Sequence, residues 1–75
     1  QSTEESIFNC CFRAAQPDET YMELSAAEIF LCIKKRYPHA LKQASPASFS
    51  KVLMSLGVER IHTRTGNLHR VIEMR

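Results

Sequence analysis

A small α+β fold is predicted by three features of this sequence. Ser45 to Gly57 is punctuated as a complete helix: Ser45 suits the N-cap, Pro46 the first helical position and Gly57 the left-handed position after the last turn. Ser25-Ala26-Ala27-Glu28 has the capping-box spacing and opens another helix. Val58 to Arg64 and Leu68 to Met74 have β-rich composition and bracket Thr65-Gly66-Asn67, so a terminal hairpin is expected.

The remaining elements follow in chain order. Ser2 stands three residues before Glu5, a capping-box spacing that predicts a helix to about Ala15 with Ile7, Phe8, Cys11, Phe12 and Ala15 on its buried stripe. Gln16-Pro17-Asp18-Glu19 ends it, because proline cannot continue a helix. Thr20 to Leu24 sets Met22 and Leu24 against Tyr21 and Glu23, the alternation of a short strand. The helix opened by Ser25 turns Ala26, Ile29, Phe30, Ile33 and Tyr37 inward and stops at Pro38. Lys34, Lys35 and Arg36 fall in its last turn, where cations complement the negative end of the helix dipole. His39 to Ala44 is a connector carrying Lys42 and Gln43.

In the helix from Ser45, the residues Phe49, Val52, Leu53 and Leu56 recur at i, i+3, i+4 and i+7 and form one apolar stripe. A three-residue loop at Thr65-Gly66-Asn67 sets Ile61 opposite Val71 and Thr63 opposite His69; this register is preferred to a two-residue Gly66-Asn67 turn because it pairs two β-branched residues. The short strand pairs with the hairpin in a three-stranded sheet. Helix, short strand, helix, helix and two-stranded wing is the order of a winged helix-turn-helix, expected as a single domain over residues 1–75.

Seventy-five residues form one domain with a modest core, and 44 % hydrophobic with 24 % charged residues are ordinary globular values. No apolar run approaches the roughly 20 residues of a membrane span. The first residue is glutamine rather than methionine, so the chain is read as a segment of a longer protein. Three cysteines, two of them adjacent, do not form a disulfide framework, which fits a reducing, cytoplasmic setting. The net charge of +2 divides unevenly: residues 1–33 set Arg13 against six acids, a net of −5, whereas residues 34–75 set nine Lys and Arg against Glu59 and Glu73, a net of +7. A basic half of this kind suits a phosphate-binding face.

Catalysis is not expected. Cys10, Cys11, Cys32, His39, His62 and His69 lack the spacing of a structural zinc site, and the expected register sends His62 and His69 to opposite faces of the hairpin. With only two glycines the chain has no phosphate-binding loop, no nucleophile sits in a recognisable signature, and no cofactor or small-molecule substrate is expected. The layout suits nucleic acid, with the helix after the turn in the major groove and the hairpin along the backbone or minor groove. Candidate contacts are Lys42, Ser45, Ser48, Lys51, Arg64 and Arg70. The solvent side of that helix offers Ala47, Lys51 and Met54 but no Arg, Asn or Gln, so base discrimination should be weak. The alternative is a protein-interaction module that docks through the Met54 and Ala47 strip or the acidic N-terminal half.

The residues Ile7-Phe8, Phe12-Arg13, Leu24 to Ile29, Phe49, Val52-Leu53, Leu56 to Val58 and Arg64 to Val71 together resemble a bacterial winged-helix domain family of unknown function. That family is found at the C-terminus of proteins like virulence-associated protein E and the primase–helicases of phage and mobile elements, so the resemblance implies that residues 1–75 are the C-terminal segment of a larger protein. The resemblance implies an accessory module on an upstream P-loop ATPase, with Arg64 and Arg70 beside the glycine turn as the matching positions able to carry function.

Overall fold

The computed structural model describes residues 3–39, 41 and 44–74. Helix α1 (Thr3–Cys11) leads into β1 (Phe12–Ala14), followed by β2 (Met22–Leu24), α2 (Ala26–Arg36), α3 (Pro46–Ser55), β3 (Arg60–Thr63) and β4 (Gly66–Glu73). Three helices and a four-stranded antiparallel sheet make a mixed α+β domain.

The second and third helices begin where their caps are written. Ser25 and Glu28 exchange side-chain-to-backbone hydrogen bonds in a capping box, and Ser45 does the same with Ser48. Gly57, at φ +76, turns the chain out of α3 in the conformation that only glycine takes without strain. The N-cap expected at Ser2 lies outside the described residues.

α1 is shorter than its apolar stripe suggests. It stops at Cys11, and Phe12 to Ala14, expected as its last turn, form β1 along the final residues of β4, with Phe12 opposite Glu73 and Ala14 opposite Val71. The Cys11 carbonyl accepts from the Met74 amide at 2.7 Å, so β4 satisfies an acceptor that an abrupt helix end leaves open. Phe12 stacks on Phe8 at 5.8 Å and is buried as a strand residue just as the helical stripe requires, so the burial pattern alone does not separate the two conformations.

β4 is the spine of the sheet. β2 pairs along one edge, Met22 to Leu24 against Val71 to His69, while β1 and β3 share the other. The sheet has four strands, not the three expected. Its hairpin register also differs: Thr63 pairs with Gly66, His62 with Asn67, Ile61 with Leu68 and Arg60 with His69, closing a two-residue turn at Arg64-Thr65. Among the described residues no residue other than glycine has positive φ, and Gly66, at φ +133, reconciles this turn with the strand twist. The offset from the expected register is an odd number of residues, so every side chain of β3 changes face.

One face of β4 carries His69 and Val71 into the core, with Phe8, Cys11, Phe12, Ile29, Phe30, Ile33, Leu41, Phe49, Leu53 and Val58. Phe49 meets Phe8 and Phe30 in tilted and edge contacts at 6.2 and 6.1 Å, joining all three helices at one aromatic junction. Val52 and Leu56 of the expected α3 stripe are half-buried at its margin. Tyr37, expected inward, is the exposed C-cap of α2, and Met22 is exposed on the edge strand.

Candidate nucleic-acid interface

α3 buries Phe49 and Leu53 and so turns Ala47, Lys51 and Met54 outward. Met54 is 54 % exposed, high for an apolar side chain on a core helix. Ser45 and Ser48 are committed to the helix end: Ser45 Oγ accepts from the Ser48 amide at 3.2 Å, and Ser48 Oγ accepts from the Ser45 amide and donates to the Ser45 carbonyl. Their hydroxyls serve the cap first.

The hairpin register decides which side chains join α3. Because Arg60 lies opposite His69, Arg60 and His62 share the helix side of the hairpin with His69. The Arg60 guanidinium reaches Met54 Sδ at 3.5 Å and links β3 to the exposed strip of α3. Arg64 occupies the turn and is exposed. Thr63 Oγ donates to the Gly66 carbonyl at 2.6 Å, and His62 Nδ1 and Asn67 Oδ1 are 2.9 Å apart, so side chains brace the turn from both strands.

The other arginines of the sheet are neutralised. Arg70 points to the outer face, where it donates to Glu59, lies 3.5 Å from the Glu23 carboxylate and stacks over the Tyr21 ring at 4.7 Å. Desolvation opposes its charge, but Tyr21, Glu59 and Glu23 outweigh that and raise its pKa. Arg13 makes a two-pronged contact with Glu19 at 2.8 and 2.6 Å. That contact, aided by the Gln16 amide, holds the Glu19 carboxyl down at about 2. By contrast Lys51, Arg60 and Arg64 form no ion pair with the described residues.

Of the residues expected at the site, Lys51 and Arg64 lie on the exposed face of α3 and at the hairpin turn. Arg70 does not join them: it stands four residues along β4 from Gly66, roughly 13 Å at the strand rise, and faces away. Lys42 lies outside the described residues. Arg60, absent from the sequence-based set, stands between α3 and the turn. Its signal is the register, since a two-residue turn at Arg64-Thr65 places residue 60 on the side of α3.

His69 is 1 % exposed, and both ring nitrogens lack a hydrogen-bond partner. Burial lowers its pKa, and the Arg60 cation adds to the effect. The corrected register also removes the expected separation of His62 and His69, which share a face. Among the described residues, however, no group of three His, Cys, Asp or Glu side chains could hold a metal ion. The three cysteines are free, and among the described residues no helix is long and apolar enough to cross a membrane.

A compact mixed α+β domain with exposed cations on its third helix and on its terminal hairpin is the class these observations define. The chain belongs to the family DUF3874, described as a domain of unknown function from a B. Theta gene, whose model matches residues 1–71. No curated protein and no solved structure gives a significant match.

Proposed function

We propose that this chain is a noncatalytic accessory domain that binds nucleic acid, with DNA as the favoured form, through phosphate contacts with weak sequence discrimination. In this reading it is a winged helix-turn-helix: α3 enters the groove, β3 and β4 form the wing, and β1 is an added strand. The observation that carries it is the partition of charge. Arg13 and Arg70 are matched to carboxylates, whereas Lys51, Arg60 and Arg64, like Lys34, Lys35 and Arg36 at the end of α2, stand without acidic partners among the described residues, and the first three lie where helix and wing would meet a phosphate backbone. Weak discrimination follows from the exposed Ala47, Lys51 and Met54, which offer no bidentate reader of base edges.

The resemblance to the C-terminal domains of primase–helicase-like proteins supports a place beside a P-loop ATPase in the cytoplasm, with the ATPase supplying the chemistry. A second reading, docking on that ATPase or on another copy, is favoured by the exposure of Leu31 (61 %) and Met54.

Fluorescence anisotropy with labelled DNA at several salt concentrations tests the proposal. Three phosphate contacts give a log–log salt slope of roughly −2 to −3. Binding that is absent at low salt, or independent of salt, rejects it in favour of docking.

A further inference from the structure

We propose that the end of α2 is a second binding site, one that takes a nucleotide: an aromatic base stacks on Tyr37 while Lys34, Lys35 and Arg36 hold its phosphate. This site stands apart from the surface of α3 and the hairpin and does not rest on the reading given to that surface. The Arg36 guanidinium donates to the Met74 carbonyl at 3.0 Å, which fixes the end of α2 beside the end of β4. β4 runs seven residues from Gly66 to Glu73, roughly 23 Å at the strand rise, so the end of α2 and the turn bearing Arg64 lie at opposite ends of the central strand.

Charge, an exposed ring and a concavity meet there. Lys34, Lys35 and Arg36 are exposed and form no ion pair with the described residues. Pro38 disfavours a helical conformation in the residue before it, and Tyr37 leaves the helix at φ −136, ψ 76. Its ring is therefore off the core-facing stripe and 40 % exposed, with the Arg36 guanidinium carbon 5.8 Å from its centre. Arg36, Tyr37, Pro38 and His39 line an open, mainly apolar concavity of about 430 Å³, within the size range of small-molecule sites.

This combination selects among anions. Cations in a last helical turn complement the dipole, but that role gives no reason for an exposed ring or an apolar concavity beside them. A bare phosphate or a carboxylate-rich peptide would engage the cations and leave the ring and the concavity unused. A nucleotide engages both, because every base has a π-face that stacks on a tyrosine ring or a guanidinium plane, and its phosphate supplies the charge that the three cations lack.

The chain has two tyrosines and no tryptophan, so Tyr21→Phe leaves Tyr37 as the reporter of its own site. In that background, with Arg60→Glu and Arg64→Glu added to remove the hairpin cations, an oligothymidylate of about ten nucleotides is expected to quench the tyrosine emission saturably at low salt. In anisotropy titrations of the same strand, labelled, Tyr37→Ala is expected to weaken binding about tenfold and Tyr37→Phe to preserve it. Lys34→Gln with Lys35→Gln should reduce the log–log salt slope by roughly 1.4, the share of two phosphates on a single strand. Quenching by thymidine 5′-monophosphate alone identifies a free nucleotide as the ligand, and quenching by the strand only identifies an unpaired segment. Absence of quenching, quenching that poly-glutamate reproduces, or strand binding indifferent to Tyr37→Ala overturns the proposal. Duplex affinity indifferent to Arg60→Glu and Arg64→Glu instead overturns the reading of α3 and the hairpin and leaves this site standing.

Discussion

Arg70 and Glu59 meet on the outer face of the sheet, on the side of β4 opposite to buried His69 and Val71, and the Arg70 amide also donates to the Glu59 carbonyl at 3.0 Å. With Glu23 and Tyr21 they tie the connector after α3 and the segment around β2 to the central strand. In the proposed reading Arg70 braces the sheet, and Arg64 at the turn is the hairpin arginine left to meet a partner. Arg70→Gln should lower the urea midpoint without changing the slope of the transition, and should leave DNA affinity within about twofold.

Arg64→Glu and Arg60→Glu should do the reverse. Each is expected to weaken DNA binding about tenfold at low salt, for all sequences alike, and to reduce the salt slope by about one for each phosphate that the arginine had neutralised. Circular dichroism melts of both variants should stay close to that of the parent chain. Weaker binding to one sequence only would contradict a phosphate-based mode.

The cap of α3 should show in stability. Ser45→Ala removes the acceptor for the Ser48 amide and is expected to cost about 1 kcal/mol, or several degrees in Tm for a domain of this size. Gly57→Ala should cost a similar ~1 kcal/mol through its φ of +76 alone, because a Cβ there meets nothing within 4 Å. Thermal melts of both variants check these values.

Two groups with shifted titration contribute to the response to acid. His69 has a folded pKa below its ordinary 6.5, so the unfolded chain takes up its proton first and stability falls as pH drops from 6.5 towards the lower folded value. His69→Leu should remove that sensitivity and raise the urea midpoint at about pH 5.5 relative to the parent. Glu19 acts in a lower window: its stabilising contact with Arg13 is intact above 4.5 and fades as pH falls towards about 2. Arg13→Gln should flatten that lower limb while leaving the decline that begins at 6.5 in place.

The parts of the fold visible in the sequence are those specified by neighbours in the chain. Ser25 with Glu28, Ser45 with Pro46, and Gly57 mark helix ends through bonds spanning only a few residues, and they stand where expected. β1 is hidden because Phe12 satisfies the helical stripe of α1 equally well, and only its pairing with Glu73, across most of the chain, selects a strand. The register differs for a related reason. Pairing Ile61 with Val71 suits a hairpin whose whole inner face is buried, but inward burial on β4 ends at His69, so the outer part of the hairpin lies beyond the core. There the turn and Gly66 determine the pairing. The candidate site inherits this difference: Lys51 and Arg64 are legible from helix phase and turn position, Arg60 is hidden by the register, and the engagement of Arg70 depends on Glu23 and Glu59 arriving from separate segments.

β1, β2 and β3 all precede β4 in the chain, and each finds its ladder partners on it. A chain emerging from the ribosome can therefore wind its helices but cannot complete its sheet until Glu73 has cleared the exit tunnel. Until then Phe12, Leu24 and Ile61 stand on segments with unmatched backbone groups, the state most open to chaperones and to pairing with the wrong partner. Folding of this domain is thus timed by its last strand, and a pause or truncation before Val71 would release helices with no sheet to close their core.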